Sequence, residues 1–362
     1  MISQNNSACF QKAAATSHKR LAVVREKLAV FYEVVGRPAL MTDRQSEFES
    51  DEWSRWLLQL RHAGDPVFEQ TLRADLKSYA DRVLDAARVE AGMTLADVGA
   101  GEGLIAFRAI ERTGPSLQVI LTDISIPMLR HAEALANELG VQHQCRFVEC
   151  AADKLIKIPD ASVDVVTTRA ALAYVPDKKA ALHEFYRVLK PGGRISLCEP
   201  IFQDDAFAAC ALRTMVDAQR ADPPDRFLPL LHRWKAAQFP DTHEKIAASP
   251  IANFSERTLF DMSRACGFAQ IHLELHIDLC VSKITSWQVL LGASPHPWAP
   301  PLRDILAEQF TQQEQELFEQ VLRPLVESGQ ATTIIRTAFL SAMKPPTGER
   351  AVATPAANWR RE

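Results

Sequence analysis

The chain has 362 residues, 47% of them hydrophobic, and 41 basic against 45 acidic side chains leave a net charge of −4. That length exceeds one ordinary domain without demanding two. The near balance of charge, with no basic stripe among aromatics, argues against a nucleic-acid partner, and no apolar run reaches the length of a membrane span. The opening Met1-Ile-Ser-Gln-Asn-Asn-Ser lacks the basic-then-apolar form of a signal peptide. Seven cysteines without framework spacing suit a reducing compartment. The expectation is a soluble cytoplasmic protein acting on a small molecule.

Residues 1–16 are polar and read as a disordered tail, and 17–75 as a helical extension. Within the extension, Leu21, Val24, Leu28, Phe31 and Val35 form a three-four stripe on one helix face. It serves either packing on its own domain or contact with a second copy in a homodimer. Glu49 to His62, with Trp53, Trp56, Leu57 and Leu60, is again helical, and an Ala-Gly-Asp-Pro break follows at 63–66. A helix over about Leu72 to Arg88 turns Leu76, Tyr79, Val83 and Ala87 inward.

Residues Leu95 to Gly103 read Leu-Ala-Asp-Val-Gly-Ala-Gly-Glu-Gly. An apolar strand ends in Asp97, and Gly99, Gly101 and Gly103 follow at alternate positions before a helix over Leu104 to Glu111. Glycine tolerates positive φ and lets a ligand approach main chain. The dinucleotide fingerprint needs a small residue at its sixth position, where this chain has Leu104. A carboxylate inside the turn would also face a pyrophosphate. A nicotinamide dehydrogenase is disfavoured on both counts. Val119 to Asp123 is a second strand ending in an acid, at the distance where α/β folds place the residue that grips a ribose diol. Cys145 to Cys150 and Ser162 to Thr168 are the third and fourth strands. Lys178 to Leu189 has helical spacing and stops at Lys190-Pro-Gly-Gly193. Arg194 to Glu199 is the fifth strand. Strands alternating with helices imply a doubly wound parallel α/β sheet with ligands at its carboxyl ends.

Beyond the core, Phe202 to Asn253 is an insertion carrying Phe227, His232, Trp234 and Phe239. A helix over Leu259 to Gly267 opens at Ser255-x-x-Thr258. Ala269 to Cys280 is the sixth strand, Gly292 to Pro301 a Pro-rich loop, and Thr311-x-x-Glu314 a capping box starting a helix toward Pro324. Thr332 to Met343 is the last strand. The divisions expected are a core over 76–201, a substrate lid over 202–254, C-terminal strands with a helical insertion over 255–344, and a disordered tail over 345–362.

From about Leu76 to Ile201 the chain resembles the small-molecule branch of the class I S-adenosylmethionine (SAM) methyltransferases, which includes ubiquinone/menaquinone and arsenite methyltransferases. The resemblance rests on Asp97-Val-Gly-Ala-Gly-Glu-Gly103, Thr122-Asp123, Pro159 to Val166, Tyr174-Val-Pro-Asp177 and Arg187-Val-Leu-Lys-Pro-Gly-Gly193, in that order and spacing. It implies a Rossmann-like seven-stranded sheet, SAM as cofactor and transfer of a methyl group to oxygen, nitrogen or carbon of a small acceptor. Main chain at Gly99, Gly101 and Gly103 would pass under the methionine part and ribose. Asp97 would orient the loop or meet the ammonium through water, and Asp123 would accept both ribose hydroxyls. Ile124 and Met128 would flank adenine. The acid that commonly takes the adenine amino group is alanine here, in Cys150-Ala-Ala-Asp153, so either Asp153 or the Ala152 main chain fills that role.

Elements ahead of the first strand often fold over the cofactor in this superfamily, which makes Trp53, Arg61 and His62 lid candidates. Arg169 is placed for the cofactor carboxylate or an acidic acceptor, or for a salt bridge that holds its loop. Glu199 and His232 are general-base candidates; Glu199 alternatively bonds backbone at the strand end. No metal is expected, since His272 and His276 lack a third ligand. Cys150, Cys198 and Cys210 raise arsenite chemistry, which needs converging thiolates, but strand cysteines usually serve as small core residues. The reading from a different class is a SAM-binding assembly protein without methyl transfer.

Overall fold

A computed structural model describes residues 50–220 and 224–348. The N-terminal tail, the Leu21–Val35 stripe and the dimer contact inferred from it lie outside the described residues, as does the tail from 349.

Seven strands form one sheet: β1 (Thr94–Val98), β2 (Gln118–Asp123), β3 (Cys145–Glu149), β4 (Val163–Arg169), β5 (Leu189–Pro200), β6 (Ala269–Val281) and β7 (Thr332–Met343), in the order β3-β2-β1-β4-β5-β7-β6. The first five pair parallel, and β7 runs antiparallel to both β5 and β6. The chain reverses direction across the sheet between β1 and β4, which places a ligand crevice at the carboxyl ends of these strands. The strands read as continuous apolar runs because helices cover both faces. One core layer packs Val83, Phe107, Ile110 and Leu135 against the sheet, and the other packs Leu182, Phe185, Ile195 and Leu340.

Ahead of β1, a short helix α1 (Glu52–Arg55) widens into a π-helical turn over Trp56–Leu60, with the Arg61 N–H bonding the Trp56 carbonyl at 2.8 Å. Helix α2 (Pro66–Ala87) starts six residues before the expected Leu72. The proline taken for a break is instead its first-turn residue, and Asp65 caps it by accepting the Phe68 N–H at 2.8 Å. Helices α3 (Leu104–Thr113), α4 (Ile126–Leu139) and α5 (Lys178–Val188) are the crossovers of the core. The Lys190–Gly193 turn belongs to β5, which begins at Leu189 and not at Arg194.

The insertion after β5 holds α6 (Gln203–Asp217), α7 (Leu228–Gln238) and α8 (His243–Ala248). Helix α9 (Glu256–Ala265) opens on a complete Ser255/Thr258 capping box. Between β6 and β7 come α10 (Trp287–Gly292), α11 (Leu302–Gln309) and α12 (Gln312–Glu327). The last of these carries the Thr311/Glu314 capping box and runs through Pro324 instead of stopping there. Leu230, Trp287, Ile305 and Phe318 join α7, α10, α11 and α12 in a third apolar cluster. No helix among the described residues is long and apolar enough to cross a membrane.

Candidate active site

The carboxyl ends of β1, β2, β3 and β4 open into one cavity, walled on its far side by Trp53, Trp56, Leu57 and Arg61 of the N-terminal segment. Trp56 is held there by donating its indole N–H to the Ser294 carbonyl at 3.0 Å. From the sheet side the lining takes Asp97, Gly99 to Glu102, Asp123, Ile124, Cys150 to Asp153, Arg169 to Ala171 and Tyr174 to Pro176.

The glycine turn is shaped by contacts that a side chain would block. Gly99 has φ +67°, and a Cβ there would meet the Ala171 Cβ at 2.3 Å, so the β1 loop and the loop after β4 touch through bare backbone. Ala170 itself sits at φ +49°, a strained conformation for an L side chain, in the same wall. Gly101 donates its N–H to Asp123 at 2.9 Å, and Ser125 N–H bonds the other carboxylate oxygen at 2.9 Å. Each oxygen thus keeps acceptor capacity. Burial raises the Asp123 carboxyl above its ordinary range despite these bonds.

Asp97 is 2% exposed. It accepts the Thr167 hydroxyl at 2.9 Å and the Ala106 N–H at 3.3 Å. Burial outweighs those bonds and pushes its carboxyl up to about 7. Glu102 shows the opposite balance. Burial acts to raise it, but Arg73 and Arg61 overcome that and hold it down to about 2. The pairs measure 3.3 Å to Arg61 and 3.4 Å to Arg73. Arg61 and Arg169 both line the cavity, and in both the Nε is buried without a hydrogen-bond partner among the described residues.

Of the residues singled out from sequence, Asp97, Gly99, Gly101, Asp123, Ile124, Ala152, Asp153 and Arg169 come together in this lining, with Trp53 and Arg61 from the lid. The others stand elsewhere. Gly103 caps α3 at φ +82°, where a Cβ would strike the Phe107 ring at 2.4 Å, so it shapes the turn from behind. Met128 is fully buried in the first turn of α4 and is not in the cavity lining. Ile124, half exposed at 51%, stands at the mouth instead. His62 is buried beside the lid and does not reach the lining.

The two base candidates do not converge on the cavity. Glu199 is fully buried and accepts the Thr168 hydroxyl, the Ala171 N–H at 3.4 Å and the Ala173 N–H at 3.0 Å. It anchors the loop after β4 from beneath, the alternative reading of a strand-end acid. His232 lies on α7 in a separate depression with Pro229, Arg233 and Gln309, and pairs with Asp241 at 3.1 Å. Trp56, Leu57 and Glu102 are lining residues given no site role from sequence, whereas Tyr174 closes the Thr168–Tyr174 stretch that the resemblance places beside the methionine part and the acceptor.

Among the described residues no group of three His, Cys, Asp or Glu is placed to hold a metal ion. Cys198 is buried and pushed up to about 12 by burial, and Cys150 is raised by the same cause. Thiols in such settings are protonated and poor soft-metal ligands.

Five parallel strands with a crevice at their carboxyl ends, a glycine turn after β1 and an acid closing β2 define a nucleotide-type cofactor site of the methyltransferase kind. Comparison with known proteins agrees. Residues 89–232 match the family model described as "Methyltransferase domain". Nocamycin O-methyltransferase of Saccharothrix syringae is 31% identical over 241 residues, covering 66% of this chain and 79% of that relative. The ubiquinone/menaquinone biosynthesis C-methyltransferase UbiE of Brucella anthropi is 42% identical over 107 residues. There the match covers 30% of this chain and only 40% of the relative. Among solved structures, the YcgJ protein from Bacillus subtilis has a TM-score of 0.47 at 20% identity, with 74% of this chain and 98% of that one covered. The chain belongs to the SAM-dependent methyltransferases, of the small-molecule type.

The residues present fit SAM. A carboxylate with spare acceptor capacity on both oxygens stands at the end of β2, glycines offer bare main chain, and a buried guanidinium Nε in the lining awaits an anionic partner.

Proposed function

We propose that this enzyme methylates a small organic acceptor enclosed between the glycine turn and the Trp53–Arg61 wall. What carries the reading is that one cavity joins Asp123 and the Gly99–Gly101 main chain to an aromatic wall contributed by a different part of the chain. SAM supplies a methyl group already activated on a sulfonium, so the protein has mainly to align the partners and keep water out.

In this reading Asp123 accepts the ribose hydroxyls, and Gly99 and Gly101 pass under the methionine part. Ile124 covers one adenine face. The edge of adenine meets the Ala152 main chain or Asp153. Asp97 takes the ammonium, and Arg169 gives its unpartnered Nε to the carboxylate. Trp53 and Tyr174, 5.3 Å apart edge to face, together with Trp298 at 6.0 and 5.6 Å from them, form the acceptor side. Homodimer formation and a cytoplasmic setting belong to the same proposal, on sequence grounds alone.

Calorimetric titration with S-adenosylhomocysteine (SAH) tests this. Asp123→Ala should weaken binding at least tenfold relative to the unaltered protein, with a nicotinamide dinucleotide as the non-binding control. Equal affinity in the two proteins would remove Asp123 from the cofactor site.

A further inference from the structure

Two arginines face this cavity, and the cofactor brings one carboxylate. Granting the cofactor reading above, Arg169 is satisfied by that group and Arg61 is not. Its Nη2 touches Glu102 at 3.3 Å, but Glu102 is shared with Arg73, and the Arg61 Nε is buried with no partner among the described residues. The side chain is only 11% exposed. Burial lowers its guanidinium, opposed by Glu102, and the neighbouring Arg169 and Arg73 lower it further. Glu102 offsets part of the charge, but a buried N–H donor left without an acceptor is costly until one joins it.

The second observation concerns protons. An acceptor with a proton to lose needs a base, and among the described residues the lining acids are already engaged. Glu102 is clamped between two arginines, and in the cofactor reading Asp97 takes the ammonium and Asp123 the ribose hydroxyls. Asp153, beyond the end of β3, stands on the adenine side of the cavity in the same reading. The Tyr174 phenol is pushed up by burial and keeps its proton. Trp53, Trp56, Leu57, Val175 and Pro176 give the lining an apolar and aromatic face.

We propose that the acceptor enters this cavity already as an anion, an acidic small molecule with an apolar body, and that Arg61 receives its acid group. Such a molecule uses its anionic atom as the nucleophile, forming the bond to the methyl carbon as the carbon–sulfonium bond breaks and SAH leaves neutral. No proton is surrendered, which matches a lining that offers no free base among the described residues. It also carries the charge opposite to the sulfonium it must approach. Arg61 acts here as a specificity-determining residue, offering a planar fork suited to a carboxylate or enolate.

The test uses the full chain saturated with SAH and titrated with a panel of aryl and alkyl monocarboxylates, 1-naphthoate among them, each beside its neutral amide. The expected result is at least one acid that binds tenfold or more tighter than its amide. In Arg61→Gln that preference should fall to twofold or less while SAH affinity stays within threefold. Arg61→Lys, which keeps the charge without the fork, should retain an intermediate preference, and melting curves establish that the variants are folded. Amides that bind as well as acids, no acid that binds, or a preference that survives in Arg61→Gln would each overturn the proposal. Failure of the unaltered protein to bind SAH is a different result: it removes the cofactor reading on which this one stands.

Discussion

Asp97 ties the strength of the fold to pH through a single buried carboxyl. Its folded value of about 7 stands some three units above its ordinary 3.8. At about 1.4 kcal/mol per unit, that difference corresponds to roughly 4 kcal/mol between the protonated and ionised folded states. The sign follows from the direction. A carboxyl raised in the folded state contributes its full stability below about pH 4, and loses it as pH rises through 7. Other carboxyls shift with pH as well: Glu199 is raised by burial, whereas Glu102 is held down. The informative quantity is therefore the difference between the unaltered protein and Asp97→Asn. Asparagine keeps an oxygen for the Thr167 hydroxyl and turns an amide toward the Ala106 N–H, a mismatch whose cost does not vary with pH. Urea unfolding at pH 5, 6, 7 and 8 should show the unaltered protein losing about 1.4 kcal/mol per unit relative to the variant from pH 5 toward 7, then levelling off. A difference that is flat across this range would refute the argument, because Asp97 would then be ionised throughout.

Glu199 and His232 are expected to fail as bases in different ways. Glu199→Ala strands the Ala171 and Ala173 N–H groups and the Thr168 hydroxyl, a loss of about 3 kcal/mol in urea unfolding. A loss under 1 kcal/mol would show that the loop does not depend on it. His232→Ala removes one of three partners of Asp241, which keeps Lys245 at 2.6 Å and Arg213 at 3.7 Å. Stability should fall by about 1 kcal/mol or less, and kcat on any acceptor turned over by the unaltered enzyme should stay within twofold; a hundredfold drop would restore His232 as a base.

The parts legible in the sequence are those whose causes are local. A glycine at φ +67° or an N-cap that needs an oxygen leaves its mark within a few residues, so the turn at Gly99–Gly103 and the capping boxes at Ser255 and Thr311 could be read directly. The start of α2 was equally local: Asp-Pro is a strong cap-and-first-turn signal, obscured by the Ala63-Gly64 pair before it. Met128 also had a readable position, since Ser125 caps α4 and places residue 128 in the first turn facing the core. Roles that depend on long-range geometry were not legible. Nothing near Glu199 says that N–H groups 26 and 28 residues earlier turn down onto it. The Trp56 and Leu57 wall likewise depends on an indole bond to Ser294, 238 residues away.

The acid in the glycine turn shows how a local clue and a distant one combine. By sequence, Glu102 tells against a pyrophosphate ligand because a carboxylate would face the phosphates. In the fold it does line the cavity, and it is ionised, but Arg61 from the lid and Arg73 from α2 both turn to it. One carboxylate thereby fastens three segments: the turn, the wall opposite and the helix behind. Replacing it with a neutral residue would leave two buried guanidinium groups beside Arg169 without their common anion, Arg73 retaining only Glu69 at 2.6 Å. The repulsion would push the lid away from the turn that it covers. The same carboxylate that argues against a phosphate ligand thus keeps the N-terminal wall closed on the methyl-transfer cavity, and it leaves Arg61 with the spare donor that an anionic acceptor would occupy.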